Sequence, residues 1–232
     1  MLLALPLKQM KHADVGGALQ RVLDDRCRLD SRSVPPEASH AARELQTTRD
    51  QLLAIEKLTY SMSEAAAAAF VAYNGKLWRL ERRFDAYGAE MGLQFTWKDS
   101  FKQKARATFG DLQWERVGVL FNAAAAYSYC ACQAQPRGTA DGGLKEAAKL
   151  FQQAAGCLDV AHDLTKAAIW GLSPRWDPAA LTLDTRLEML IALRDLMLAQ
   201  AQRAFYDKAH AEGLGPAIRA KLAAAYDGRI RF

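Results

Sequence analysis

Most of the signatures by which a chain of this size announces an enzyme are missing. There is no GxGxxG, Walker or GxSxG segment, so neither a phosphate cradle nor a nucleophile elbow has support. The four histidines (His12, His40, His162, His210) are scattered, with no HExxH and no second histidine at helical spacing. The four cysteines (Cys27, Cys130, Cys132, Cys157) lack the spacing of a small disulfide framework and fit a reducing, cytosolic compartment. Cys130 and Cys132 would stand about 200° apart around a helix, too far to share a metal, and read as small hydrophobes. A metal or redox enzyme would have to rest on Cys130 or His162 alone, without the neighbours such chemistry needs. The expectation is a protein with no catalytic residues, no metal and no cofactor.

Charge and apolar runs are also sparse in ways that exclude. No Lys/Arg run is longer than two residues, so the formal charge of +5 falls short of a nucleic-acid binder's signature. It suits an acidic partner or an anionic membrane face. No stretch approaches the ~18 apolar residues of a membrane span, the longest (65–72) being mostly alanine. The apolar opening Met1 to Leu7 lacks a basic leader and is interrupted by Pro6, so it does not read as a signal peptide. Any membrane contact is expected to be peripheral.

What is present is helix. Of the 232 residues 50% are apolar and 25% charged, enough for a single domain over 1–232 with a real core. Two strands are expected, Leu3 to Met10 and 93–97, where apolar and polar residues alternate. Helices are expected over 37–56 after Pro35-Pro36, and from Ser63-Glu64 through Phe84. A third runs from Leu112 to Gln135, with Val117, Leu120, Phe121, Ala124, Tyr127 and Ala131 on one stripe. A fourth follows Asp141-Gly142-Gly143, a fifth spans about 184–210, and a last one follows Gly215-Pro216 with Ile218 and Leu222. Small residues cluster in the middle of successive helices, as in stacked tetratricopeptide hairpins, although no strict 34-residue period is present.

Four blocks in order carry a resemblance: 93–101 (LQFTWKDSF), 112–122 (LQWERVGVLFN), 143–156 (GLKEAAKLFQQAAG) and 197–202 (MLAQAQ) with Phe205-Tyr206 after it. They resemble the Bro-one domain family, the helical module of the ALIX, HD-PTP and rhophilin kind. The fold this implies is mainly α, a banana-shaped domain of stacked antiparallel, tetratricopeptide-like hairpins with a small β-sheet near the N-terminus. The N-terminal strand and Phe95-Thr96-Trp97 would belong to that sheet. Family domains continue for several helices past Phe232, so a short variant or a fragment is expected.

The resemblance implies a non-catalytic adaptor. Its groove would take the amphipathic C-terminal helix of a Snf-seven type ESCRT-III subunit, in endosomal and multivesicular body sorting. The family's groove residues fall on Phe205, Ile218 and Leu222, with Asp141 as an acidic position that serves equally as a helix cap. Read without the family, the i, i+4 pair Ile218 and Leu222 is core. Membrane docking is a second implication, on a basic loop of Lys102, Lys104 and Arg106. That loop is shorter than in ALIX, which argues against membrane insertion by Phe109. The expected location is cytoplasmic, peripheral on endosomes. The alternative is a rhophilin-like or tetratricopeptide-like scaffold for a different peptide.

Overall fold

The computed structural model describes residues 2–56, 62–84, 91–134 and 142–230. Among them are seven α-helices: α1 (Val15–Leu29), α2 (Pro36–Glu56), α3 (Glu64–Glu81), α4 (Leu112–Ala134), α5 (Gly142–Trp170), α6 (Leu187–Ala211) and α7 (Pro216–Ile230). Their starts follow local chemistry. Asp14 caps α1 by accepting from Gly17 N, Ser63 caps α3 by accepting from Ala66 N, and prolines open α2 and α7. Consecutive helices pack side by side, α3 on α4, α4 on α5, α5 on α6 and α6 on α7. Helix α4 lies at the centre, with most of its residues buried, because the alanines 123–126 let neighbouring helices close on it.

The sheet is a two-stranded hairpin that does not include the N-terminal segment. Strand β1 (Phe95–Lys98) runs antiparallel to β2 (Arg106–Phe109), with Phe95 opposite Phe109 and Lys98 opposite Arg106. The expected strand at 3–10 is not one. It touches the hairpin through one isolated bridge, Met10 to Trp97, and otherwise runs as an extended strap. The reason lies in its partners, which are side chains from helices instead of a backbone ladder. Leu3 exchanges bonds with the Gln200 amide (2.5 and 3.0 Å), Leu5 N donates to Ser128 Oγ, and Lys8 exchanges bonds with the Asn122 amide (2.7 and 3.0 Å). Met10 N donates to Glu56 Oε2. Only at its end does the segment bond a strand, Lys98 N donating to Gln9 O at 2.8 Å and Lys11 N to Thr96 O at 3.0 Å; these side chains satisfy most of the rest.

Two buried ion pairs tie the layers together. Arg49 of α2 and the Trp97 indole both donate to Glu115 of α4, each at 2.8 Å. Lys8 of the strap meets Asp184, in the α5–α6 connection, at 2.5 Å, both side chains fully buried. Asp184 also accepts from Ser100 N and Thr182 Oγ1 at 2.7 Å each. Trp97 lies flat against Gly118 of α4, where a methyl group would overlap the indole. With the ring pinned by Glu115, Gly118→Ala is expected to cost about 1–3 kcal/mol, read as a lowered urea midpoint at unchanged m-value.

Candidate functional site: the α6–α7 surface

Helix α6 ends in a tight reversal. Gly213 adopts φ +67°, Leu214 N donates to Ala209 O at 3.0 Å, and Pro216 starts α7. That geometry is open to glycine and sends the chain back along α6. Two side-chain bonds then fix α7 in place: Gln202 Nε2 to Leu222 O at 3.3 Å and a His210–Arg219 contact at 3.1 Å. Higher numbers on α7 meet lower numbers on α6, so the pair is antiparallel.

This arrangement places the three expected groove residues on two paired helices, Phe205 on α6 and Ile218 and Leu222 on α7. Leu222 sits beside Gln202, one turn from Phe205, and Ile218 lies one turn earlier on the same face of α7. Phe205 and Leu222 are half-buried and Ile218 is 49% exposed. The reading of Ile218 and Leu222 as core is thus wrong for Ile218, which α7 holds on its open side. Asp141 lies outside the described residues.

The apolar residues of α6 fall into two sets. Leu187, Leu190, Met197 and Ala201 are buried, whereas Ile191, Leu198 and Phe205 are half-buried. The second set recurs every seven residues and so forms a nearly straight stripe about 20 Å long. On the helical wheel the stripe falls between Arg194, which bonds Asp159 of α5 at 3.1 Å, and Gln202, which bonds α7. Ile191 and Leu198 therefore extend the candidate surface beyond the residues named from the sequence. Their seven-residue spacing with Phe205 was the available signal.

The basic patch is where the sequence placed it, with one correction. Lys102 and Lys104 occupy the turn of the hairpin, but Arg106 opens strand β2. Asp99 Oδ1 accepts from Phe101 N and Lys102 N at 2.8 Å each and shapes that turn. All three cations are exposed, without an ion-pair partner among the described residues, and Phe101 beside them is 45% exposed. Phe109 is directed elsewhere, its ring 4.9 Å from Trp114 and 5.4 Å from Trp176.

Elsewhere, Cys130, Cys132 and Cys157 pack against the core as half-buried thiols, and burial pushes Cys157 up to about 12. Among the described residues no group of three His, Cys, Asp or Glu is placed to hold a metal. His162 contacts Asp163 at 3.1 Å on the surface. No described helix is long and apolar enough to cross a membrane.

Comparison with known proteins agrees with this geometry. The family model described as BRO1-like domain matches residues 2–227. The Vacuolar-sorting protein BRO1 of Arabidopsis thaliana is 30% identical over 192 residues, covering 81% of this chain and 22% of that protein. The ALG-2 interacting protein X of Dictyostelium discoideum is 34% identical over 152 residues, covering 66% of this chain and 18% of the relative. The chain thus spans about a fifth of the curated relatives it matches. Among solved structures, the ALIX BRO1 CHMP4C complex superimposes with a TM-score of 0.78 at 26% identity, over 98% of this chain and 62% of that one.

Proposed function

The chain belongs to the BRO1-like domain family, and from that premise we propose that it is a non-catalytic adaptor whose α6–α7 surface binds the amphipathic C-terminal helix of a Snf-seven type ESCRT-III subunit. The observation that carries the reading is the apolar surface itself. The half-buried stripe of Ile191, Leu198 and Phe205 lies between the α5-bonding and α7-bonding sides of α6, with exposed Ile218 and half-buried Leu222 on the neighbouring α7. A partner helix presenting apolar anchors every three or four residues would cover it. The solved ALIX BRO1 CHMP4C complex, in which a domain of this type is bound to CHMP4C, supports a partner-binding adaptor role. The adaptor would act in endosomal sorting, in keeping with the vacuolar-sorting relative. Its place would be the cytoplasmic side of endosomes.

The test is titration of a labelled Snf-seven type C-terminal helix, read by fluorescence anisotropy. Wild type is expected to saturate, and Phe205→Asp, which puts a charge at a half-buried position of the surface, to weaken binding by a hundredfold or more, about 3 kcal/mol, in protein that circular dichroism shows to be folded. Absence of saturable binding by folded wild type would favour the scaffold reading, in which the groove takes a different peptide.

Peripheral contact with an anionic endosomal membrane is proposed for the hairpin turn. Exposed Phe101 flanked by three unpaired cations supports it, since each cation near such a surface contributes on the order of 1 kcal/mol. Lys102→Glu/Lys104→Glu/Arg106→Glu is expected to release the protein from phosphatidylserine vesicles in co-sedimentation without changing helix binding. Unchanged sedimentation would sink the assignment.

A further inference from the structure

A second open groove lies at the other end of the molecule, where α1, α2 and α3 converge. It has a volume of about 470 Å³. Its floor is apolar: Leu19 and Leu23 come from α1, Leu45 from α2, and Leu80 and Phe84 from α3 and the turn after it. The groove exists because α2 presents only Ala38 and Ala41 where larger side chains would close the wedge.

Its charge is one-sided. Lys76, Arg79 and Arg83 line the α3 rim at spacings of three and four, a row about 10 Å long. Lys76 bonds Glu44 across the groove at 2.7 Å and Thr48 at 2.9 Å, which closes one end. Arg79 and Arg83 are exposed and have no ion-pair partner among the described residues. The free cations therefore run along the open end, beside the apolar floor.

We propose that this groove docks an acidic amphipathic helix of a partner protein, apolar anchors on Leu23, Leu80 and Phe84 and carboxylates along Arg79 and Arg83. The shape of the charge decides the occupant. A lipid or phosphate headgroup is gripped by cations that converge on one point, whereas here they are strung along a helix edge parallel to the floor, matching carboxylates at i and i+4. The inference is independent of the α6–α7 reading, because it uses different helices and a different rim.

The probe is a stapled synthetic helix of about four turns with leucines at i, i+4 and i+7 and glutamates along one flank. The same helix with glutamines is the control. Anisotropy is read on wild type, on Arg79→Glu/Arg83→Glu, on Ala41→Phe, which fills the groove from an exposed position, and on Phe205→Asp. Circular dichroism checks that each variant is folded. The expected result is saturable binding of the acidic helix, at least tenfold weaker with Arg79→Glu/Arg83→Glu and with Ala41→Phe, unchanged with Phe205→Asp, and weaker for the glutamine helix. No saturable binding by wild type overturns the proposal, as does binding lost only with Phe205→Asp or equal binding of the two helices. Binding of phosphatidylserine vesicles that depends on Arg79 and Arg83, without binding of the acidic helix, overturns it too and assigns the groove to lipid.

Discussion

Asp184→Asn is expected to destabilise the fold by about 3–5 kcal/mol at neutral pH, because it strands the Lys8 ammonium in the interior. Both side chains are fully buried, and Lys8 Nζ reaches besides Asp184 only Thr182 Oγ1, at 3.4 Å. Burial holds the Lys8 pKa below the usual lysine range, with Asp184 and then Asp99 pulling it back up. A lysine lowered in the folded state favours folding most above its unfolded value, and that contribution is lost as pH falls through the folded value. Removing the Asp184 charge lowers the folded value further and widens this window downward. The deficit of Asp184→Asn against wild type should therefore shrink as pH is raised from about 7 towards 10. Lys8→Met/Asp184→Asn should recover most of the loss, since no buried charge is left unpaired and the asparagine oxygen still accepts from Ser100 N. Urea melts of the three proteins at two pH values measure this. A loss below about 1 kcal/mol for Asp184→Asn would show that water reaches the pair.

The residues that made the family legible in the sequence are mostly those that hold the strap and the layers. In the block 112–122, Trp114 joins Phe109 and Trp176, Glu115 receives Arg49 and Trp97, Arg116 binds Glu81 and Asn74, and Asn122 clasps Lys8. In MLAQAQ, Met197 is buried and Gln200 clasps Leu3. Each position is fixed by a buried polar partner or by close packing, which admits few substitutes. Helices α2, α3, α5 and α6 were legible through the periodicity of a buried face, whereas α4 is buried nearly all round and α7 was marked by Gly215-Pro216 at its start. The hairpin was half-legible: Arg106–Phe109 reads as a basic loop because its alternation is short, with only Ala107 buried. The strap misled because its buried residues alternate as a strand's do while its partners are side chains, which local patterning does not record. Phe205, Ile218 and Leu222 were named through the family and not through period, since an apolar i, i+4 pair looks like core in sequence whether it is exposed, as Ile218 is, or half-buried, as Leu222 is.

Deleting residues 1–10 is expected to abolish cooperative unfolding altogether. The strap buries Leu5 and Met10, neutralises Asp184 through Lys8, and occupies the amides of Asn122 and Gln200. Without it, Asp184 is a buried charge with no cation, and Asn122, at 0% exposure, loses both partners. Each unsatisfied buried group costs about 1–3 kcal/mol and the lone charge more, a sum on the scale of a whole domain's stability. Asn122→Ala isolates one clasp: it strands the N–H and C=O of Lys8 and is expected to cost about 2–4 kcal/mol in urea melts while the fold persists. A near-neutral Asn122→Ala would mean that water replaces the amide and that the strap is held by its bonds to Gln200, Ser128, Glu56 and Asp184. The same logic separates folding from recognition on α6. Gln200 faces the strap and Phe205 faces the open stripe, so Gln200→Leu should lower the urea midpoint and leave the Kd for the partner helix unchanged in folded protein. Phe205→Asp should do the reverse. If both variants lost stability and binding together, the surface would be part of the core and α6 would have no face left for a partner.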